Sequence, residues 1–179
     1  ETVLLLAPTG AGKTLSSFLP SLIDLAHTPR TGLHTLYLSP IKALAVDIAR
    51  NLETPISEMG LPVSVETRTS DTPQSKRKRQ RSAPPNMLMT TPESLELMLS
   101  WPDAEKLFSS LKLIIIDEIH TLSGTKRGDL LSLSLSALRH LATKSQSIGL
   151  SATVGAPERF LPWLSAQPDE VCTLQPELT

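Results

Sequence analysis

Apolar and polar positions along this chain follow two rhythms. Short apolar runs at Val3–Leu6, Thr35–Leu38, Val63–Val65, Met87–Met89, Leu113–Ile116 and Ser147–Leu150 have strand length. Between them lie stretches of helical length: Thr14–Ala26, Ala43–Met59, Glu93–Leu99 and Asp129–Ala142. Strands alternating with helices predict βαβ units, hence an α/β fold with a mostly parallel sheet and helices on both faces. Leu113–Ile116 is apolar without alternation, as expected of a strand buried on both sides. Leu131–Ser136 alternates like a strand, yet Leu131, Leu135, Leu138 and Ala142 recur at helical spacing and Asp129 supplies an N-cap, so a helix is predicted. No internal repeat is evident. Residues 1–165 read as one domain, and the weakly patterned stretch 166–179 as the start of a linker.

Composition narrows the function classes. The 17 basic and 18 acidic residues leave a net charge of −1, which argues against coating nucleic acid by bulk electrostatics but leaves local phosphate contacts open. No apolar stretch approaches the length of a bilayer span, and Glu1-Thr2 does not resemble the basic start of a secretory signal. The single cysteine, Cys172, forms no internal disulfide and suits a reducing cytosol, so a cytoplasmic location is expected. Without an initiator methionine, and with its first strand at the very start, the chain reads as a piece of a longer protein. Lys76–Arg81 resembles a nuclear address or a nucleic-acid patch, or else a solvated helix face or loop.

Two segments carry the chemistry. Ala7-Pro8-Thr9-Gly10-Ala11-Gly12-Lys13-Thr14 joins the first apolar run to a helix. Gly10 and Gly12 let the backbone bend so that successive N–H groups face an anion, and the helix adds its positive end. Thr9 to Thr14 are thus expected to cradle the phosphates of ATP, with Lys13 on the β- and γ-phosphates and the Thr14 hydroxyl on Mg²⁺. Ala7 replaces the usual first glycine, which requires a negative φ there. Far downstream, Leu113–Ile116 runs into Asp117-Glu118-Ile119-His120. Asp117 is expected to hold Mg²⁺ and Glu118 to act as general base on the attacking water. The pair also fits a helix cap plus a first-turn acid. His120 stands where it can link the γ-phosphate site to Ser151 and Thr153, which follow another short strand.

Ser39-Pro40, Thr72-Pro73 and Thr91-Pro92 each read as an N-cap followed by the first helical residue. Helices that follow parallel strands begin on one sheet edge, so their N–H groups form a track for successive backbone phosphates. Lys42, Arg68, Lys126 and Arg127 lie near these turns. One tyrosine and three phenylalanines are too few for a base-stacking platform, so contacts to the nucleic-acid backbone are expected.

Together these segments resemble the first motor domain of superfamily 2 DExH-box helicases, with a RecA-like P-loop NTPase fold. Ala7–Thr14 is similar to motif I, Asp117–His120 to motif II and Ser151–Thr153 to motif III. Leu38–Ala45, Arg68–Pro73, Thr90–Leu95 and Gly124–Gly128 tighten the likeness to the large helicase-related (Lhr) family, including its bacterial ligase-associated branch. Ser70 departs from the glycine common in these proteins. The resemblance implies ATP-driven 3′-to-5′ translocation on single-stranded DNA, unwinding, and a role in DNA repair in the bacterial cytoplasm and nucleoid. It carries nucleic-acid contact onto Ser39, Pro40, Lys42, Arg68, Thr69, Thr91, Pro92, Thr125 and Arg127. It also implies a second RecA-like domain with arginine fingers, a winged-helix region, and DNA repair ligase-associated partners. On this expectation the isolated piece hydrolyses ATP feebly. Two rivals stay open: an RNA helicase of the same superfamily, and a nucleotide-dependent switch without translocation.

Overall fold

The computed structural model describes residues 2–8, 12–152 and 154–175. Its strands are β1 (Val3–Leu6), β2 (Thr35–Leu38), β3 (Val65–Arg68), β4 (Met87–Thr90), β5 (Leu113–Ile116), β6 (Gln146–Ser151) and β7 (Cys172–Leu174). They form a single seven-stranded sheet in the order β3-β4-β2-β5-β6-β1-β7, and every pairing is parallel. The helices are α1 (Lys13–His27), α2 (Lys42–Glu58), α3 (Gln74–Ser82), α4 (Pro92–Leu99), α5 (Ala104–Phe108), α6 (Ile119–Leu122), α7 (Lys126–Leu141) and α8 (Leu161–Leu164). None among the described residues is long and apolar enough to cross a membrane.

Alternation along the central strands divides the interior into two cores. Leu36, Leu38, Ile114 and Ile116 face one side, where α4, α5 and α7 cover them through Leu95, Phe108 and Leu135. Tyr37, Met87, Met89, Leu113 and Ile115 face the other, under Phe18 and Leu22 of α1 and Ala45 and Leu52 of α2. With both faces covered, the central strands need no polar side, which is why their sequences read as apolar runs. On β6, Gly149 makes room for α8: a Cβ there would lie 2.9 Å from a Leu164 methyl.

Several elements differ from expectation. β3 begins at Val65 rather than Val63 and runs through the polar residues Glu66, Thr67 and Arg68. As an edge strand it is half-buried, and α3 supplies polar partners: Gln80 Nε2 donates to Glu66 Oε2 at 2.8 Å and to the Thr67 carbonyl at 3.0 Å. α7 begins three residues before Asp129. Thr125 caps it, its extended backbone letting Oγ1 accept the Gly128 N–H at 3.1 Å. Of the three hydroxyl–proline pairs, only Thr91-Pro92 is a cap followed by a first helical residue. At the Ser39 pair, Ile41 stays extended and becomes the cap of α2, while Ser39 Oγ accepts the Ile41 amide at 3.2 Å. At the Thr72 pair, Pro73 itself caps α3, and Thr72 Oγ1 instead closes a turn by accepting the Thr69 amide at 2.9 Å. Cys172–Leu174, within the stretch expected as a linker, pairs with Val3–Leu5 as β7.

Candidate active site and nucleic-acid groove

All the chemically interesting turns leave the carboxyl ends of the strands, the edge where parallel α/β sheets bind ligands. β1 leads into Ala7 and Pro8, and Ala7 stays outside the left-handed region, as its place at the strand end required. Thr9, Gly10 and Ala11 lie outside the described residues, as does Thr153. Gly12 caps α1 with φ 76°, a conformation that costs glycine little. Lys13, only 7% exposed, folds back so that Nζ donates to the Ala7 carbonyl and, at 3.0 Å, to the Pro8 carbonyl. Among the described residues no carboxylate pairs with it. A buried cation served only by carbonyls at a helix N-terminus suits an anion as its partner.

β5 delivers Asp117, 2% exposed, to the same edge. Its Oδ1 accepts the Glu118 amide at 2.8 Å, and its Oδ2 accepts the hydroxyl of Tyr37 from the neighbouring strand β2. Burial first, then the charges of Asp117 and Glu118, push the Tyr37 hydroxyl far above the usual phenol range, so it remains a donor. Tyr37 was not among the residues expected at the site; an apolar run containing a single phenol carries no signal of its partner. The oxygen donors of Asp117 and Thr14 suit a hard cation such as Mg²⁺, which keeps several waters and phosphate ligands. The described residues hold no cluster of three His, Cys, Asp or Glu side chains.

Glu118 caps α6 at φ 47°, the only non-glycine residue with positive φ among those described. Such backbone conformations cost energy and concentrate at working sites. His120, two residues on, stands beside it, with Nε2 3.3 Å from Glu118 Oε2. The other ring nitrogen, Nδ1, accepts the Ala152 amide at 3.4 Å. With Nδ1 accepting there, a proton on Nε2 points at Glu118. His120 therefore spans the segment after β5 and the segment after β6. Ser151 is buried, its carbonyl accepting the Ala7 amide at 3.2 Å.

Beside this cluster the rim opens into a groove of about 410 Å³. Pro40, Lys42, Arg68, Thr69, Thr91 and Arg127 all line it, from four separate stretches of chain. Ser39 and Pro92 are buried at the starts of the turns beneath, and Thr125 is committed to capping α7. Arg68 is 8% exposed and turned inward: its guanidinium lies 4.5 Å from the Trp101 ring centroid, and Nη1 donates to the Arg77 carbonyl at 3.1 Å. Burial, with Arg77 and Arg81 nearby, lowers its pKa to about 10, which still leaves it charged at neutral pH. Ser70 needs no left-handed backbone here, so the turn forms without a glycine. Arg77 secures that turn by donating to the carbonyls of Thr69 (3.1 Å) and Ser70.

The basic run Lys76–Arg81 is helical, and three of its five cations are tied to two carboxylates of the domain. Lys76 and Arg79 face Glu66 at 3.9 and 2.8 Å, and Arg81 pairs with Asp103 while lying 5.0 Å from the Trp101 ring centroid. It is better described as a bracket over the sheet edge than as a free basic patch.

An all-parallel sheet whose one rim carries the start of α1 at Lys13 and the Asp117-Glu118 pair has the form of a RecA-like domain. The chain belongs to the DEAD/DEAH box helicase family, whose model matches residues 1–160. It is 46% identical over 181 residues to the Lhr helicase/probable uracil glycosylase of Mycolicibacterium smegmatis, covering 93% of this chain and 12% of that protein. It is 41% identical to the ATP-dependent helicase Lhr-Core of Methanothermobacter thermautotrophicus, covering 92% of this chain and 21% of that one. The chain thus spans between about an eighth and a fifth of these curated relatives. Its fold superposes on the Mycobacterium smegmatis helicase Lhr bound to ssDNA and AMP-PNP with a TM-score of 0.88 and 43% identity, over 99% of this chain and 24% of that one.

Proposed function

We propose that this chain is the ATP-binding half of an ATP-dependent, 3′-to-5′ single-stranded DNA motor that serves DNA repair. The observation that carries this reading is His120, which joins the Glu118 carboxylate to the Ala152 amide and so ties the hydrolysis site to a second strand end. On this account Thr9 to Thr14 wrap the phosphates and Lys13 releases its carbonyls to grip the β- and γ-phosphates. Thr14 and Asp117 would hold Mg²⁺, which when bound offsets charge on the phosphate oxygens. Glu118 orients the attacking water and takes its proton. His120 reports the state of Glu118 to Ser151 and Thr153.

The groove cations Lys42 and Arg127 and the Thr69 and Thr91 hydroxyls take successive phosphates of the strand, with Ser39, Pro40, Pro92 and Thr125 shaping the turns. Arg68, stacked inward on Trp101, contributes as a brace of the groove wall. Residues 1–165 form the first motor domain. The stretch 166–179, after adding β7, leads toward a second RecA-like domain and a winged-helix region. Arginine fingers from such a partner are worth about 10³–10⁵ in rate, so this piece alone hydrolyses ATP feebly. The likeness to the ssDNA-bound Lhr helicase supports DNA as the track; on the same reading the parent protein works in a bacterial cytoplasm near the nucleoid, alongside DNA repair ligase-associated proteins.

Unwinding of tailed duplexes by the full-length protein tests the proposal. ATP-dependent unwinding is expected from a 3′ DNA tail and not from a 5′ tail. Preference for an RNA tail would move the chain to the RNA helicases, and a tightly nucleotide-responsive protein with no unwinding would make it a switch.

A further inference from the structure

Glu93, the second residue of α4, lies at the wall of the groove where a strand phosphate is expected. Its Oε1 accepts a 2.6 Å bond from Arg127 Nε, while Arg127 Nη2 donates to the Pro40 carbonyl at 2.8 Å. Arg127, the Thr91 hydroxyl and the first-turn amides of α4 are together the kind of donor set a phosphate oxygen takes up. Here Arg127 already serves a carboxylate, while the Thr91 hydroxyl donates to Ser94 Oγ at 3.3 Å. Burial works against ionisation of Glu93, but the Arg127 bond, its own amide and Thr91 outweigh it and hold the carboxyl below its ordinary value. The negative charge is therefore in place at neutral pH.

Lys42 repeats the arrangement on another wall of the groove, 3.3 Å from Asp71. Both of these cations thus meet a carboxylate from a different element. Both pairs are substantially exposed, the kind of pair that is cheaply broken.

We propose that Glu93 is a tethered competitor of the phosphodiester backbone, holding Arg127 where a strand phosphate is taken up and yielding it when the strand binds. The proposal rests on the single-strand reading of the groove given above. It exchanges one charge-assisted bond for another, so the carboxylate offsets part of the grip on the phosphate while removal of the cation still loses the rest. A weak, exchangeable grip suits a domain that must release the strand at every step. Asp71 plays the same part for Lys42 on a more exposed and looser pair.

Fluorescence anisotropy of a labelled oligothymidylate with the full-length protein tests this, using wild type, Glu93→Gln, Arg127→Ala, the double variant and Lys42→Ala at about 50 and about 200 mM salt. Glu93→Gln is expected to bind about two- to fivefold tighter at low salt, the range set by an exposed ion pair. The gain should shrink at high salt and vanish in the Arg127→Ala background. Glu93→Gln binding no tighter than wild type, while Arg127→Ala binds weakly, overturns the proposal and makes Glu93 a brace for Arg127. If Arg127→Ala and Lys42→Ala both bind as wild type, the strand does not follow this groove, and the underlying reading falls together with the proposal. Thermal melts accompany each variant, and Glu93→Ser, which also lacks the charge, replaces Glu93→Gln should that protein melt early.

Discussion

Tyr37 on β2 donates its hydroxyl to the carboxylate of Asp117, the residue that follows β5 on the neighbouring strand. The bond crosses 80 residues of sequence and is buried. It fixes which carboxylate oxygen is taken and so the direction in which Asp117 presents the other. Because the phenol stays protonated, the bond persists at any working pH. Partners that orient a metal-binding carboxylate are commonly worth 10- to 100-fold. Tyr37→Phe is therefore expected to raise the Mg²⁺ concentration for half-maximal ATP hydrolysis by about tenfold. A Mg²⁺ titration of steady-state turnover by the full-length protein checks it, and an unchanged titration would leave the Glu118 amide as the sole orienting contact.

A second prediction concerns the start of α7. A Cβ built on Gly128 would lie 2.1 Å from the Leu122 carbonyl oxygen and 2.8 Å from the Trp163 ring. Backbone cannot give way as a side-chain tip can, so Gly128→Ala forces α6 and α7 apart. The expected cost is at least the roughly 1–3 kcal/mol typical of overpacking. Urea denaturation measures it, and wild-type stability would show that the two segments slide freely.

The opposite edge of the sheet carries a polar anchor with a pH signature. His34, 3% exposed, places Nε2 2.8 Å from Asp24 Oδ2 and Nδ1 2.8 Å from Thr35 Oγ1, which in turn donates to Ser21 at 2.6 Å. The His34 bond chiefly, opposed by burial and helped by Arg30, lowers the Asp24 pKa. The stabilisation is thus complete above the unfolded carboxylate value of about 3.9 and is lost as pH falls through the lower folded value. Asp24→Asn should lose stability at neutral pH and converge on wild type in acid. Asp24→Ala, which strands a buried ring nitrogen, is expected to cost about 1–3 kcal/mol at neutral pH. Denaturant melts between acid and neutral pH decide, and parallel curves for wild type and Asp24→Asn would contradict the linkage.

What was legible in the chain follows from this geometry. Central strands such as β5 announced themselves because two covered faces demand apolar side chains at every position. β3 showed only through Val63–Val65 at its start, since its polar residues Glu66, Thr67 and Arg68 are braced by α3, a helix whose own sequence looks like a free basic tract. The hydroxyl–proline turns located the rim, but proline alone does not say whether it enters the helix or stands before it; the extended backbone at Ile41 decided that for α2. The residues gathered around the groove were visible through local motifs. Pairings across distant segments, Tyr37 with Asp117 and Arg127 with Glu93, were not, because neither partner carries a mark of the other. β7 is three residues long and mostly exposed, leaving too little apolar pattern to read.

The most direct test of the central claim is steady-state ATP hydrolysis by the full-length protein without nucleic acid, with single-stranded DNA and with single-stranded RNA. Glu118→Gln serves as the control that keeps the fold and removes the base, a loss expected to be about 10²–10⁴-fold. The account predicts turnover stimulated by DNA, not by RNA, and abolished in Glu118→Gln. Turnover indifferent to both strands, or surviving intact in Glu118→Gln, would contradict it.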